Sequence, residues 1–109
     1  MDNFENRLQW IEDRFAINDL IVQYSIATDD RDIETLADLY TEDAVFEGSL
    51  GVIHGRQAIA EFYRERTAVQ GPSFHIPYSQ EVHRLSETEA RGVTLGAVEM
   101  ALEGRAFWM

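Results

Sequence analysis

The sequence predicts an α+β fold, a curved antiparallel sheet with helices on one face. Apolar residues recur at three- and four-residue steps in the first part of the chain, and the period changes to two from Ser73 onward. The elements run helix, helix, hairpin, helix and then a meander of strands, and this segregation is what α+β packing requires. At 109 residues, 45% hydrophobic and 27% charged, the chain holds one core and one domain, residues 1–109.

The first helix spans Asn3 to Thr28. Leu8, Ile11 and Phe15, then Ile17, Leu20, Ile21, Tyr24 and Ala27, form one apolar stripe, and Glu12, Arg14, Asn18, Asp19 and Gln23 fall largely off it. Asp29-Asp30-Arg31-Asp32 ends the helix, and Asp32 is placed to cap a second, short one with Leu36, Leu39 and Tyr40 on its buried side. Ala44–Glu47 reads as a strand, Gly48-Ser49-Leu50-Gly51 as a turn and Val52–His54 as the hairpin partner. Gly55 precedes a third helix from Arg56 to about Val69, with Ile59, Phe62 and Tyr63 inward, and Gly71-Pro72 stops it. Beyond it Phe74, Ile76 and Tyr78 alternate with His75, Pro77 and Ser79. Ser86–Glu89 is a polar turn, and Val93–Leu102 is apolar on both faces, which predicts cover on each side. Glu103-Gly104 turns into a last strand, Arg105–Met109. An end on Ala106-Phe107-Trp108-Met109 predicts a sheet completed by further sequence or by another chain.

Twenty acidic against nine basic residues give a net charge of −11, which argues against nucleic-acid and anionic-membrane partners. There is no cysteine, so disulfides and thiolate chemistry are excluded. The start, MDNFENRLQW, lacks the basic and apolar regions of a signal peptide, and no segment approaches the ~18 apolar residues of a membrane span. The expectation is a cytoplasmic protein.

One pattern goes further. Ile17-x-Asp19-Leu20, Tyr24, Asp29 and Asp32, then Leu36, Tyr40, Asp43-Ala44 and Phe46, then Gly55-Arg56 with Ile59 and Phe62, continue through Phe74-His75 and Ser86–Gly92. This resembles the SnoaL-like branch of the nuclear-transport-factor-2-like superfamily over nearly the whole chain. The resemblance implies a cone-shaped sheet with three helices on its concave side. Relatives include polyketide cyclases, scytalone dehydratase, ketosteroid isomerase, a hexachlorocyclohexane dehydrochlorinase and non-catalytic binding or dimerisation modules, so the fold alone does not fix a reaction. Asp29 matches the acid at the end of the first helix in the dehydratase and the dehydrochlorinase, and His75 matches their histidine at the start of the long strand. In those relatives the two form a dyad. The dehydratase's second histidine falls where Thr94 stands and its water-holding tyrosine near Gly48, and the dehydrochlorinase's lysine falls at Tyr24. Neither specific activity transfers; the dyad does.

Imidazole titrates nearest neutrality and is the readiest general base, and a carboxylate on its far nitrogen fixes the tautomer. Asp29 and His75 are therefore the candidate catalytic pair, with Tyr24 as a hydroxyl for a substrate oxygen. Tyr40, Phe46, Phe62 and Tyr78 are candidates to line an apolar pocket, as are Phe74 and Trp108. Glu47 and Glu99 are alternative bases if they face inward. His54, His75 and His83 lack metal-ligand spacing, and Ser25, Ser49, Ser73 and Ser79 lack a nucleophile-elbow context. The expectation is a cofactor-independent lyase, isomerase or cyclase that removes a proton from a small apolar or aromatic cyclic molecule. The alternative is a binding or dimerisation module of the same fold. On either reading relatives suggest a homodimer.

Overall fold

The computed structural model describes residues 3–102 and 105–108. Its elements are α1 (Asn3–Asp29), α2 (Ile33–Asp38), β1 (Val45–Gly48), β2 (Gly51–His54), α3 (Arg56–Ala68), β3 (Ser73–Arg84), β4 (Ala90–Leu102) and β5 (Arg105–Trp108). Every strand pair is antiparallel, and the strands form two ladders, β1–β2 and β3–β4–β5. The architecture is α+β, with the sheet divided at the hairpin. The predicted turn at Glu103-Gly104 and the terminal Met109 lie outside the described residues, as does the side chain of Trp108. Among the described residues no helix is long and apolar enough to cross a membrane.

The core sits where the end of α1 meets α2, α3 and the hairpin. Ala27, Leu36, Ile59 and Tyr63 are buried there, and Tyr24, Ile33, Tyr40, Ala44, Phe46, Ile53 and Phe62 pack around them. Asp32 caps α2: its carboxylate accepts from the Thr35 hydroxyl at 2.6 Å and the Thr35 backbone N–H at 3.2 Å. These two bonds, the hydroxyl's foremost, hold the Asp32 carboxyl below its ordinary range. Gly55 precedes α3 at φ 91°, a left-handed conformation that favours glycine, and donates to the Ala44 carbonyl at 2.7 Å. That turn locks α3 to the hairpin.

Three expectations change. The apolar stripe of α1 is buried only near its C-terminal end, while Leu8, Ile11, Phe15 and Leu20 are exposed. The helix has apolar residues on other sides too, Val22 and Ile26 among them; among the described residues its backbone runs close only to β3 and α2, and Tyr24 near its end reaches Tyr63 on α3. Secondly, β4 is not covered on both faces: Val93 and Leu95 are 64% and 63% exposed. Thirdly, the alternation along β3 breaks at a bulge between Pro77 and Ser79. His75 and Pro77 face inward before it, and Gln80, Val82 and Arg84 after it, so Ser79 shares the outer face with Phe74 and Ile76.

Ile59 is fully buried, so Ile59→Ala should cost about 2–5 kcal/mol in urea unfolding, from lost transfer energy plus a cavity. Asp32→Ala should lower the thermal midpoint at neutral pH. Because the folded-state value is depressed from 3.8, the cap's contribution is present above that value and is lost as pH falls through the depressed one. The two melting curves should therefore converge in acid, and a gap that persists there would contradict the assignment.

Candidate active site

The site forms where α1 ends and β3 begins. The helix runs antiparallel to the strand: Arg84 sits 5.9 Å over the Trp10 ring, Gln80 donates to Asn18 at 2.5 Å, and Asp29 reaches Ser73 and His75. The Asp29 carboxylate takes three hydrogen bonds. The Ser73 hydroxyl donates to Oδ1 at 2.9 Å, the His75 backbone N–H donates to Oδ2 at 2.8 Å, and His75 Nδ1 lies 2.6 Å from Oδ1. Both side chains are largely buried, 18% and 21% exposed. With the carboxylate ionised, Nδ1 carries the proton and donates, which leaves the Nε2 lone pair free.

Behind the carboxylate stands Arg31, at φ 61°. Its guanidinium donates to the Thr28 carbonyl at 2.9 Å, the Ser73 hydroxyl oxygen at 3.0 Å and the Gly71 carbonyl. Arg31, Ser73, Asp29 and His75 thus form one continuous chain of hydrogen bonds.

His75 faces a cavity of about 220 Å³ whose wall includes Tyr24, Tyr63, Phe46, Phe62 and Arg66. The Tyr24 ring meets the imidazole edge-on at 6.2 Å. Its hydroxyl is 2.9 Å from that of Tyr63, which is 3.2 Å from that of Tyr40. Burial pushes the Tyr63 phenol far above the usual tyrosine range, and Tyr24 adds to the effect; burial raises Tyr40 as well. Thr28 also borders the cavity, and its hydroxyl is buried with no hydrogen-bond partner among the described residues.

The structure therefore brings Asp29, His75, Tyr24, Phe46 and Phe62 together. Tyr40 stands behind Tyr63. Tyr78 is not in the site: it lies at the β3 bulge, without a partner on β4, and is 64% exposed. Phe74 is 63% exposed on the outer face with Glu99 opposite it. Glu47 lies on the exposed side of β1, away from the core-facing Phe46, so neither glutamate reaches the cavity. His83 pairs with Glu81 at 2.5 Å, His54 is exposed, and no metal-holding cluster forms among the described residues. Sequence reasoning missed the roles of Arg31 and Ser73 and the place of Arg66 in the cavity wall, and placed Tyr63 only in the core. The one local signal was an arginine among three aspartates in a turn.

Residues 9–109 match the family profile described as the SnoaL-like domain. A variant of Rv3472, a protein of unknown function from Mycobacterium tuberculosis, is 26% identical, with a TM-score of 0.81 over 99% of this chain and 61% of its own. The chain thus spans under two thirds of that protein's length. An NTF2-like protein with a cystatin-like fold from Novosphingobium aromaticivorans is 26% identical, with a TM-score of 0.78 over 97% of this chain and 71% of its own. The type 3 hexachlorocyclohexane dehydrochlorinase LinA from Novosphingobium barchaimii has a TM-score of 0.84 over 94% of this chain and 73% of its own, at 18% identity, a likeness of fold. No curated protein matches.

Ser73 is 4% exposed and links Arg31 to Asp29. Ser73→Ala removes a bond to a charged group and should cost about 1.5–3 kcal/mol of stability in urea titration. A loss within experimental error would show that the chain of bonds is not held through this hydroxyl.

Proposed function

The chain belongs to the SnoaL-like domain family, and from this we propose a cofactor-independent enzyme of lyase, isomerase or cyclase type that moves protons with an Asp29–His75 dyad. The observation that carries the reading is the 2.6 Å contact of His75 Nδ1 with a carboxylate held by two further donors, beside an aromatic-walled cavity. Asp29 fixes the tautomer and stabilises the imidazolium. His75 Nε2 takes a proton from carbon next to a carbonyl or a leaving group on an apolar cyclic substrate. The C–H electron pair then forms a double bond as the leaving group departs, or moves to the carbonyl oxygen as an enolate. Tyr24 donates to that oxygen. The imidazolium later returns its proton to carbon or to the leaving group, which restores the neutral base.

A second reading, a binding module without catalysis, draws support from the cavity's 220 Å³, below the ~300–1,000 Å³ of most ligand sites. We further propose a homodimer through the outer face of β3 and β4, where Phe74, Tyr78, Val93 and Leu95 are each more than 60% exposed.

Exchange of the protons α to the carbonyl of 2-tetralone in D₂O, followed by NMR, tests the chemistry. His75→Ala and Asp29→Asn should each slow enzyme-catalysed exchange about 10²–10⁴-fold while keeping a cooperative unfolding transition. Wild-type rates in both variants would rule out the dyad, and binding of ketones without exchange would favour the binding module. In sedimentation at micromolar concentration the dimer should appear at twice 12.5 kDa; a clean monomer would remove the proposed interface.

A further inference from the structure

The cavity beside His75 carries a cation that the dyad does not use. Arg66 lies one turn after Phe62 on α3, and its guanidinium carbon is 5.7 Å from the Phe62 ring centre. It borders the cavity that His75 faces and also a hollow of about 490 Å³ beneath the β1–β2 turn, and Phe46 and Phe62 likewise belong to both. These three side chains are a shared wall, and a ligand too large for the first cavity would extend past them into the second. Arg66 is the one arginine or lysine among the residues described around the first cavity. No ion pair engages it among the described residues: Glu61 is taken by Arg64 at 2.5 Å, and Glu65, its neighbour on the surface, does not pair with it. Asp29 is occupied by Ser73 and His75.

An exposed arginine over an aromatic ring, at the border of two hollows and paired with no carboxylate among the described residues, is positioned for an anion from outside. Its planar guanidinium binds a carboxylate with two parallel hydrogen bonds while its face stays on the ring. We infer that the ligand of this site is an aromatic or cyclic carboxylate, whose ring lies against Phe46 and Phe62 and whose carboxylate pairs with Arg66. The assignment rests on the proposed proton transfer only in that the reacting carbon would lie at the other end of the molecule, toward His75.

Calorimetric titration with two probes of equal size, 2-naphthoate and the neutral 2-acetonaphthone, tests it on the wild type, Arg66→Gln, Arg66→Lys and His75→Ala. Wild type should bind the carboxylate about tenfold or more tightly than the ketone, the margin of a charge-assisted pair. Arg66→Gln should equalise the two, Arg66→Lys should keep part of the margin, and His75→Ala should keep all of it. Equal binding of both probes by wild type, no binding of 2-naphthoate, or a margin that survives in Arg66→Gln would each overturn the inference. A margin that depends on Arg66 without any exchange of 2-tetralone would instead sink the dyad and leave the carboxylate site standing.

Discussion

The Asp29 carboxylate joins the long helix to the long strand, and it does so in an unfavourable place. The last turn of a helix presents unsatisfied carbonyls and the negative end of the helix dipole, so an acid there meets repulsion where a base would be attracted. The acid is also largely buried, which is costly for a charge without partners. Two devices compensate. Ser73 and the backbone and ring of His75 supply three donors to the carboxylate. Arg31 adopts a left-handed backbone conformation and turns its guanidinium back onto the Thr28 and Gly71 carbonyls and the Ser73 oxygen. One cation thus neutralises the helix end, anchors the strand start and orients the hydroxyl that holds the acid.

The rest of the site inherits its geometry from that junction. With Nδ1 committed to Asp29, the imidazole can present only Nε2 to the cavity. The bulge at Pro77–Ser79 has a matching consequence along β3. It lets His75 face inward at the end of α1 while Gln80 and Arg84 still reach Asn18 and Trp10 further along the same helix. An unbroken alternation would have turned Ser79, Glu81 and His83 toward the helix instead, placing an acid and a second histidine against it.

What could be read in the sequence follows from the range of the forces involved. The Asp32 cap and the Gly48–Gly51 turn of the hairpin are local, set by residues within four positions of one another. The core around Leu36, Ile59 and Tyr63 was legible from periodicity. Proximity of Asp29 and His75, 46 residues apart, came through resemblance to a family, since no local pattern encodes it. The fate of Tyr78 was legible, since it alternates with Phe74 and Ile76 on the face opposite His75 and a pocket role ran against that parity; the bulge after it was not, because one extra residue in a strand reverses every later side chain and leaves no compositional mark. Arg31 and Ser73 were hidden differently: one is an ordinary turn residue and the other an ordinary strand start until the fold sets them side by side. The exposed half of α1 shows the limit of a stripe argument, since periodicity says which residues can be buried and not whether a partner surface lies beneath them.

The row of tyrosines that begins beside the imidazole extends the same logic. Tyr63 has one proton and two hydroxyl neighbours, so it can donate to only one of Tyr24 and Tyr40 and must accept from the other. Burial disfavours ionisation of Tyr63 and Tyr40, which keeps both as neutral hydroxyls across the ordinary pH range. Within the three tyrosines alone the row can point either way. A substrate oxygen that accepts from Tyr24 selects one direction: Tyr40 donates to Tyr63, Tyr63 to Tyr24, and Tyr24 to the ligand. Hydrogen bonds aligned in this sense polarise one another, so in the proposed reaction negative charge developing on that oxygen would be met by three hydroxyl dipoles. On the proposed reading the base and the head of the donor row stand side by side, His75 against Tyr24 at 6.2 Å, each supported from behind, His75 by Asp29 and Tyr24 by Tyr63.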